Sequence, residues 1–305
     1  MAKWQLKAVV QKAISFLPYK TKINYLFQRY VTKGVALDDV HFGYKLEAAR
    51  DHLHYYARYG SKPPAETTTL ELGTGWYPIV PFCLFLAGFR SVVSVDLYPW
   101  LTAERMRTAA RRVLDHHDRG LLEAYVPTVL PERLEVLRRA AAADLSVAAF
   151  ARAVGLDYRV MDARRLDFPA GSIDFIVSNN TFEHVHADVL AAILTEFRRV
   201  LAPHGTMSHF IDLSDHFAHF DGSIGIYNFL RFSARRWRLI DNDIQPQNRL
   251  RWPDYLALYA AAGLPVRAEV LRPYDVAVLA EVPVHPEYAA YRPEDLAISH
   301  GSIIS

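Results

Sequence analysis

Two hydrophobic periods run through the chain. Trp4, Leu6, Val9, Val10, Ile14 and Leu17 recur among Lys3, Lys7 and Lys12, which predicts an amphipathic helix over 4–17, ended by Pro18. A second helix is expected over about 21–31, and a third over 43–59, closed by Gly60 and the Pro63-Pro64 pair. The period then shortens. Thr67-Thr68-Thr69-Leu70-Glu71-Leu72 is a β-branched strand that runs into Gly73-Thr74-Gly75, and Pro78 opens a helix that Gly88 closes. Residues 91–96, 158–162, 173–178 and 206–213 read as further strands. Helical stretches at 102–119 and 187–201 and an Ala-, Leu- and Arg-rich stretch at 120–155 separate them. A last helix is expected at 253–262, with 266–271 and 276–282 closing the sheet as a strand pair.

Strands alternating with helices imply an open, mostly parallel sheet with helices on both faces. Ligands of such sheets bind beyond the carboxyl ends of the strands. Three of those ends carry Gly73-Thr74-Gly75, Asp96 and Asp162. The expected organisation is a helical extension over 1–62, a main domain over 63–285 and a tail over 286–305. Inserts at about 120–155 and 216–252 are read as a lid over an acceptor.

Composition narrows the class. The chain has 305 residues, 51% hydrophobic and 22% charged, which suits a globular fold and excludes a disordered or fibrous one. Its one cysteine, Cys83, stands in an apolar run, so no internal disulfide framework or multi-cysteine zinc site is available. No apolar run is long enough for a membrane span and no signal peptide is evident, so a cytoplasmic, reducing setting is expected. The net charge of +2 is uneven. Residues 1–37 carry seven Lys plus Arg and no acid, leaving 28 basic against 33 acidic residues beyond them. Nucleic acid is therefore not an expected partner. The basic arm over 1–33 suits either peripheral contact with an anionic membrane or packing on the core or a partner; oligomeric state is not legible.

Glycines after a first strand let a ligand approach the backbone, and the next helix presents free N–H groups. Asp96 lies 21 residues after Gly75, a spacing that suits a carboxylate holding ribose hydroxyls. Asp162 stands where an adenine edge would lie. A dinucleotide fingerprint would need a third glycine where Pro78 stands, which weakens a nicotinamide reading.

As an ordered set these residues resemble class I S-adenosylmethionine-dependent methyltransferases. Glu71-Leu72-Gly73-Thr74-Gly75 is similar to their first motif, Asp96 to their ribose-binding acid and Asp162-Ala163 to their adenine-edge motif. The run from Ser172 to Val185, with Asn179 and His184, and Leu201-Ala202-Pro203-His204-Gly205-Thr206 resemble the fourth-strand motif and the turn into the fifth strand. The likeness spans about 66–213 and departs at Tyr77, where such families often have another glycine. It implies a Rossmann-like, seven-stranded sheet and S-adenosylmethionine as cofactor. It also implies a cofactor site of Glu71, Gly73, Thr74, Gly75, Asp96, Leu97, Asp162, Ala163 and Asn179.

The acceptor side is less defined. Methyl transfer to a hydroxyl needs a group that removes the proton. Glu183, His184 and His186, then His209, Asp212, Asp215, His216 and His219, crowd the ends of the fourth and fifth strands. His184, Asp212 and His216 are the expected catalytic residues. The stretch 212–221 could instead hydrogen-bond a polyhydroxylated substrate, form a solvated turn or hold a divalent cation; no metal ligands are assigned. The expected function is O-methylation of a small molecule or glycan, lipid-linked if the arm touches membrane. The alternatives are a non-catalytic cofactor-binding or membrane-associated protein on the same fold and, less favoured, a nicotinamide-dependent oxidoreductase.

Overall fold

The computed structural model describes residues 2–20, 23, 25 and 36–305. The helix expected over 21–31 falls outside them apart from Ile23 and Tyr25. In chain order the first elements are α1 (Lys3–Ser15), α2 (Asp39–Tyr59), β1 (Thr68–Leu72), α3 (Ile79–Leu86), β2 (Ser91–Asp96) and α4 (Ala103–Asp118). Next come α5 (Pro131–Ala142), α6 (Val147–Ala153), β3 (Leu156–Val160), β4 (Ile173–Asn179), α7 (Ala187–Val200) and β5 (Leu201–Asp212). The last are α8 (Ala234–Ile240), α9 (Trp252–Ala261), β6 (Ala268–Leu271), α10 (Val276–Ala280), α11 (Pro293–Ala297) and β7 (His300–Ile304).

Among the described residues the strands form a seven-stranded sheet in the order β3-β2-β1-β4-β5-β7-β6. The pairs β1–β2, β1–β4 and β2–β3 are parallel, as expected. Met207 and Ser305 exchange both backbone hydrogen bonds, at 2.9 and 3.1 Å. That exchange marks an antiparallel pair, so β7 runs against β5.

Two expectations fail here. Residues 276–280 are helix α10, so they cannot be the closing strand, and the segment read as a tail supplies β7 instead. Gly301 explains part of this. A Cβ there would lie 2.7 Å from the Trp252 ring and 2.9 Å from Leu271, so only glycine lets this strand pass.

The chain divides into two compact units. One comprises 37–179, 192–209 and 303–305. Its core includes Phe42, Leu46, Phe82, Phe89, Val113 and Phe175, each almost fully buried. The 120–155 insert joins that core through Leu122, Leu137 and Phe150 of its short helices. Cys83 lies in it too, and burial pushes its thiol up to about 12, which removes it from nucleophilic chemistry.

The other unit comprises 1–36, 180–191 and 210–302. Its core gathers Trp4, Phe217, Tyr227, Phe229, Leu230 and Trp237. The aromatic residues of the 216–252 insert are thus largely core. Helix α1 is seated in this unit: the Trp4 N–H donates to Asp221 at 2.9 Å, and Lys12 Nζ donates to the carbonyls of Arg238 and Asp241 at 3.0 and 2.7 Å. Its other face leaves Leu6 and Phe16 exposed, at 55% and 77%.

Arg251 is fully buried. Its Nη1 donates to the Leu213 carbonyl at 2.8 Å and its Nη2 to those of Leu296 and Ile298 at 2.9 and 2.5 Å. One guanidinium thereby satisfies backbone just after β5 and at the C-terminal end of α11. Arg251→Met keeps much of the volume and strands three carbonyls, each worth roughly 1–3 kcal/mol when left unpaired in the interior. A fall in stability of at least about 3 kcal/mol is expected in chemical denaturation; an unchanged midpoint would show that water replaces the guanidinium.

Candidate functional site

The turn after β1 is built by short-range bonds. Gly73 and Gly75 both have positive φ, 80° and 69°, a region that side chains disfavour. Nothing lies within 4 Å of where a Gly75 Cβ would stand, so open space borders the turn. The Gly75 N–H donates to Asp96 Oδ2 at 2.9 Å, tying the turn to the end of β2. The Met161 N–H donates to the Asp96 carbonyl at 3.0 Å, which brings in the end of β3.

Glu71 is buried beneath the turn and accepts from Thr74 Oγ1 at 2.6 Å, while Thr74 also bonds Ser94 Oγ. Burial outweighs Lys45 and Thr74 and raises the Glu71 carboxyl to about 7. Burial raises Asp96 as well, against the N–H groups of Gly75, Tyr98 and Leu97.

Of the other residues expected here, Ala163 is buried, Asn179 ends β4 and the Leu97 side chain is 56% exposed. Asp162 forms an ion pair with Arg164, at 2.6 and 3.0 Å, and also accepts its N–H. Tyr77, at the missing-glycine position, packs its side chain against the core. A cluster not read from sequence borders this turn: Trp76 and Trp100 lie 4.3 Å apart, and the Arg105 guanidinium sits 4.7 Å over Trp76.

The second group lies in the unit containing 180–191 and 210–302. It holds all three expected catalytic residues. The His184 and His216 rings meet edge to face at 4.8 Å, and His216 Nε2 lies 3.3 Å from Asp212 Oδ2. Asp212 Oδ1 lies 3.2 Å from His300 Nε2 and accepts the Ser214 N–H at 2.8 Å. Burial favours the neutral Asp212 carboxyl, yet the bonds from His216 and His300 prevail and hold it far below the usual range. Burial, followed by the charge of His216, lowers His184 to about 4, so its imidazole is neutral at physiological pH.

His184 Nδ1 lies 2.8 Å from the Pro246 carbonyl, and Asn248 Nδ2 donates to the carbonyls of Phe182 and Val185 at 2.8 Å each. The Asn248 N–H donates to the Glu183 carbonyl at 3.0 Å. Segment 246–248 therefore fixes the turn that carries Glu183 and His184. A narrow crevice beside His216 is lined by Lys7, Gln11, Trp237, Asn242 and Gln247, among others.

Asp215, Asp221 and His209 are held in internal contacts. Asp215 accepts from Asn228 and from the Phe217 N–H, and Asp221 holds the start of α1. His209 is buried against Phe197 and bonded to Ser178 Oγ. Of the arginines in the aromatic insert, Arg249 donates to the carbonyls of Phe229 and Phe232, while Arg231, Arg235, Arg236 and Arg238 are exposed. Sequence reasoning missed His300, Asn248 and Lys7, which reach the site from distant segments with no local signal.

The family profile described as a methyltransferase domain matches residues 120–208, a stretch that contains Asp162, Asn179 and His184. That match agrees with the strand order and the ordered motifs. Over that stretch the chain is similar to a methyltransferase domain, and its sheet is that of the Rossmann-like class I S-adenosylmethionine-dependent methyltransferases. The match supports S-adenosylmethionine as the cofactor and methyl transfer as the activity, in preference to the nicotinamide alternative.

No curated protein matches the chain. Solved structures similar to this chain include a geranyl diphosphate methyltransferase in complex with GPP and sinefungin, at 14% identity over 86% of this chain and 76% of that one, TM-score 0.44. Others are a protein of Pyrococcus horikoshii OT3, at 14% over 91% and 96%, TM-score 0.46, and a methyltransferase of Leishmania major, at 13% over 99% and 83%, TM-score 0.47. These likenesses are distant, and the assignment does not rest on them. No helix among the described residues is long and apolar enough to cross a membrane.

The buried Glu71 gives a pH test. Its folded-state value of about 7 lies above its ordinary 4.5, so the folded state holds a proton that the unfolded state has lost. Stability from this group is complete below about pH 4.5 and falls as pH rises through 7. Denaturation of the wild type and of Glu71→Gln should therefore differ with pH, the wild type losing roughly 1–3 kcal/mol relative to the variant between pH 5 and 7.5. A pH-independent difference would refute a protonated Glu71.

Proposed function

We propose that the chain methylates a hydroxyl oxygen of a small, polar acceptor. One observation carries the reading: the Asp212–His216–His184 group, with His300 behind it, is a buried proton-handling system of the kind a hydroxyl acceptor needs. S-adenosylmethionine supplies, when bound, an electrophilic methyl group on a sulfonium. In this reading Gly73, Thr74 and Gly75 leave room for its amino-acid end. Asp96 keeps acceptor capacity for ribose hydroxyls besides its bond to Gly75. Asp162, Ala163, Leu97 and Asn179 border the adenine. Asp212 orients His216, and the group draws off the acceptor's proton. A small molecule or glycan bearing such a hydroxyl is the acceptor this reading implies. The single buried cysteine fits a cytoplasmic setting.

Calorimetric titration separates the roles. Asp96→Ala should weaken S-adenosylmethionine binding at least about tenfold. Asp212→Asn should leave that affinity unchanged and lower turnover roughly a hundredfold or more. Silence of the wild type toward the cofactor would end the reading, and full turnover in Asp212→Asn would end the proton-handling role.

The exposed Leu6 and Phe16 on the basic helix α1 support a second, compatible reading, peripheral contact with anionic membrane. Flotation with anionic liposomes should be lost in a Leu6→Glu, Phe16→Glu double variant. Equal recovery of both proteins in the lipid-free fraction would remove membrane contact.

A further inference from the structure

We infer that Glu183, His184 and His216 form a binding site for a divalent first-row transition-metal ion. The inference deepens the reading above and rests on it only for what the ion would do. One ligand atom from each residue lies within 4.8 Å of the other two. A tetrahedral ion holds nitrogen and oxygen ligands at about 2.0–2.2 Å, which sets any two of them roughly 3.3–3.6 Å apart. Closing that gap takes about an ångström of side-chain movement.

Three further observations support the site. The Glu183 carboxyl is buried, at 2% exposure, beside the two imidazoles. The Pro246 carbonyl, 2.8 Å from His184 Nδ1, fixes the proton there and leaves Nε2 with its lone pair. Asp212 stands 3.3 Å from His216 Nε2, the carboxylate–imidazole arrangement that orients metal-binding histidines.

Two imidazoles and one carboxylate suit manganese, iron, cobalt or zinc, in contrast to the all-oxygen sets preferred by magnesium and calcium. Three protein ligands leave open positions. An acceptor hydroxyl bound at one of them would lose its proton to water more readily. Its oxygen electron pair would then form the new bond to the methyl carbon, and the carbon–sulfur pair would remain on sulfur.

The test uses the full chain, freed of metal by chelation and titrated with Zn²⁺ by calorimetry and with Co²⁺ by visible absorption. One equivalent of each ion is expected to bind. Glu183→Gln, His184→Gln and His216→Gln should each weaken binding at least about tenfold. His117→Ala, at the surface pair with Glu123, should not. Circular dichroism shows which variants fold, and any one of the three that does is sufficient. Absence of saturable binding, or equal affinity in folded Glu183→Gln or His216→Gln, overturns the site even if the enzyme methylates. Binding that the variants abolish sustains it even if no methyl transfer is found.

Discussion

Asn248 satisfies two carbonyls of the 182–185 turn with one side-chain amide, and its own N–H takes a third. That turn carries a buried carboxylate next to an imidazole, a pairing that would otherwise drift, because a short 3₁₀ turn has little hydrogen bonding of its own. With the backbone pinned, His184 has one orientation, set by Pro246. Arg251 extends the arrangement by holding the ends of β5 and α11. The chemistry in this unit therefore rests on a segment, 246–251, that contributes no reacting group.

The glycine turn after β1 follows a different design. There the constraint is local: glycines at positive φ, a threonine bonded to a buried glutamate and a strand-end aspartate that closes on Gly75. Neighbouring parallel strands supply all of these, so the geometry follows from strand register. Leu72 is paired with Val95, and Asp96 with Val160. That explains how the turn tolerates Tyr77, whose side chain turns into the core.

The contrast accounts for what could be read from the sequence. Strands β1 to β5, the glycine turn, Asp96 and Asp162 were legible because each depends on a period or a short spacing. His184, Asp212 and His216 were legible as types, each just after a strand end. His300, Asn248 and Arg251 were not, since these partners lie 38 to 88 positions away and nothing nearby marks them. Strand β7 was missed because its five residues carry a glycine whose purpose is a tryptophan contact. The aromatic insert was read as a lid because its sequence does not record Trp4 as a packing partner.

That partner has a consequence in time. Trp4 leaves the ribosome long before Asp221, 217 positions further on. At about 5–20 residues per second the delay is roughly 10–40 s. Throughout it, Trp4, Ala8 and Ile14 have no core to enter, and Lys3, Lys7 and Lys12 are what keeps the nascent helix in water. The seat of α1 is therefore completed only after residues 217–237 have been made.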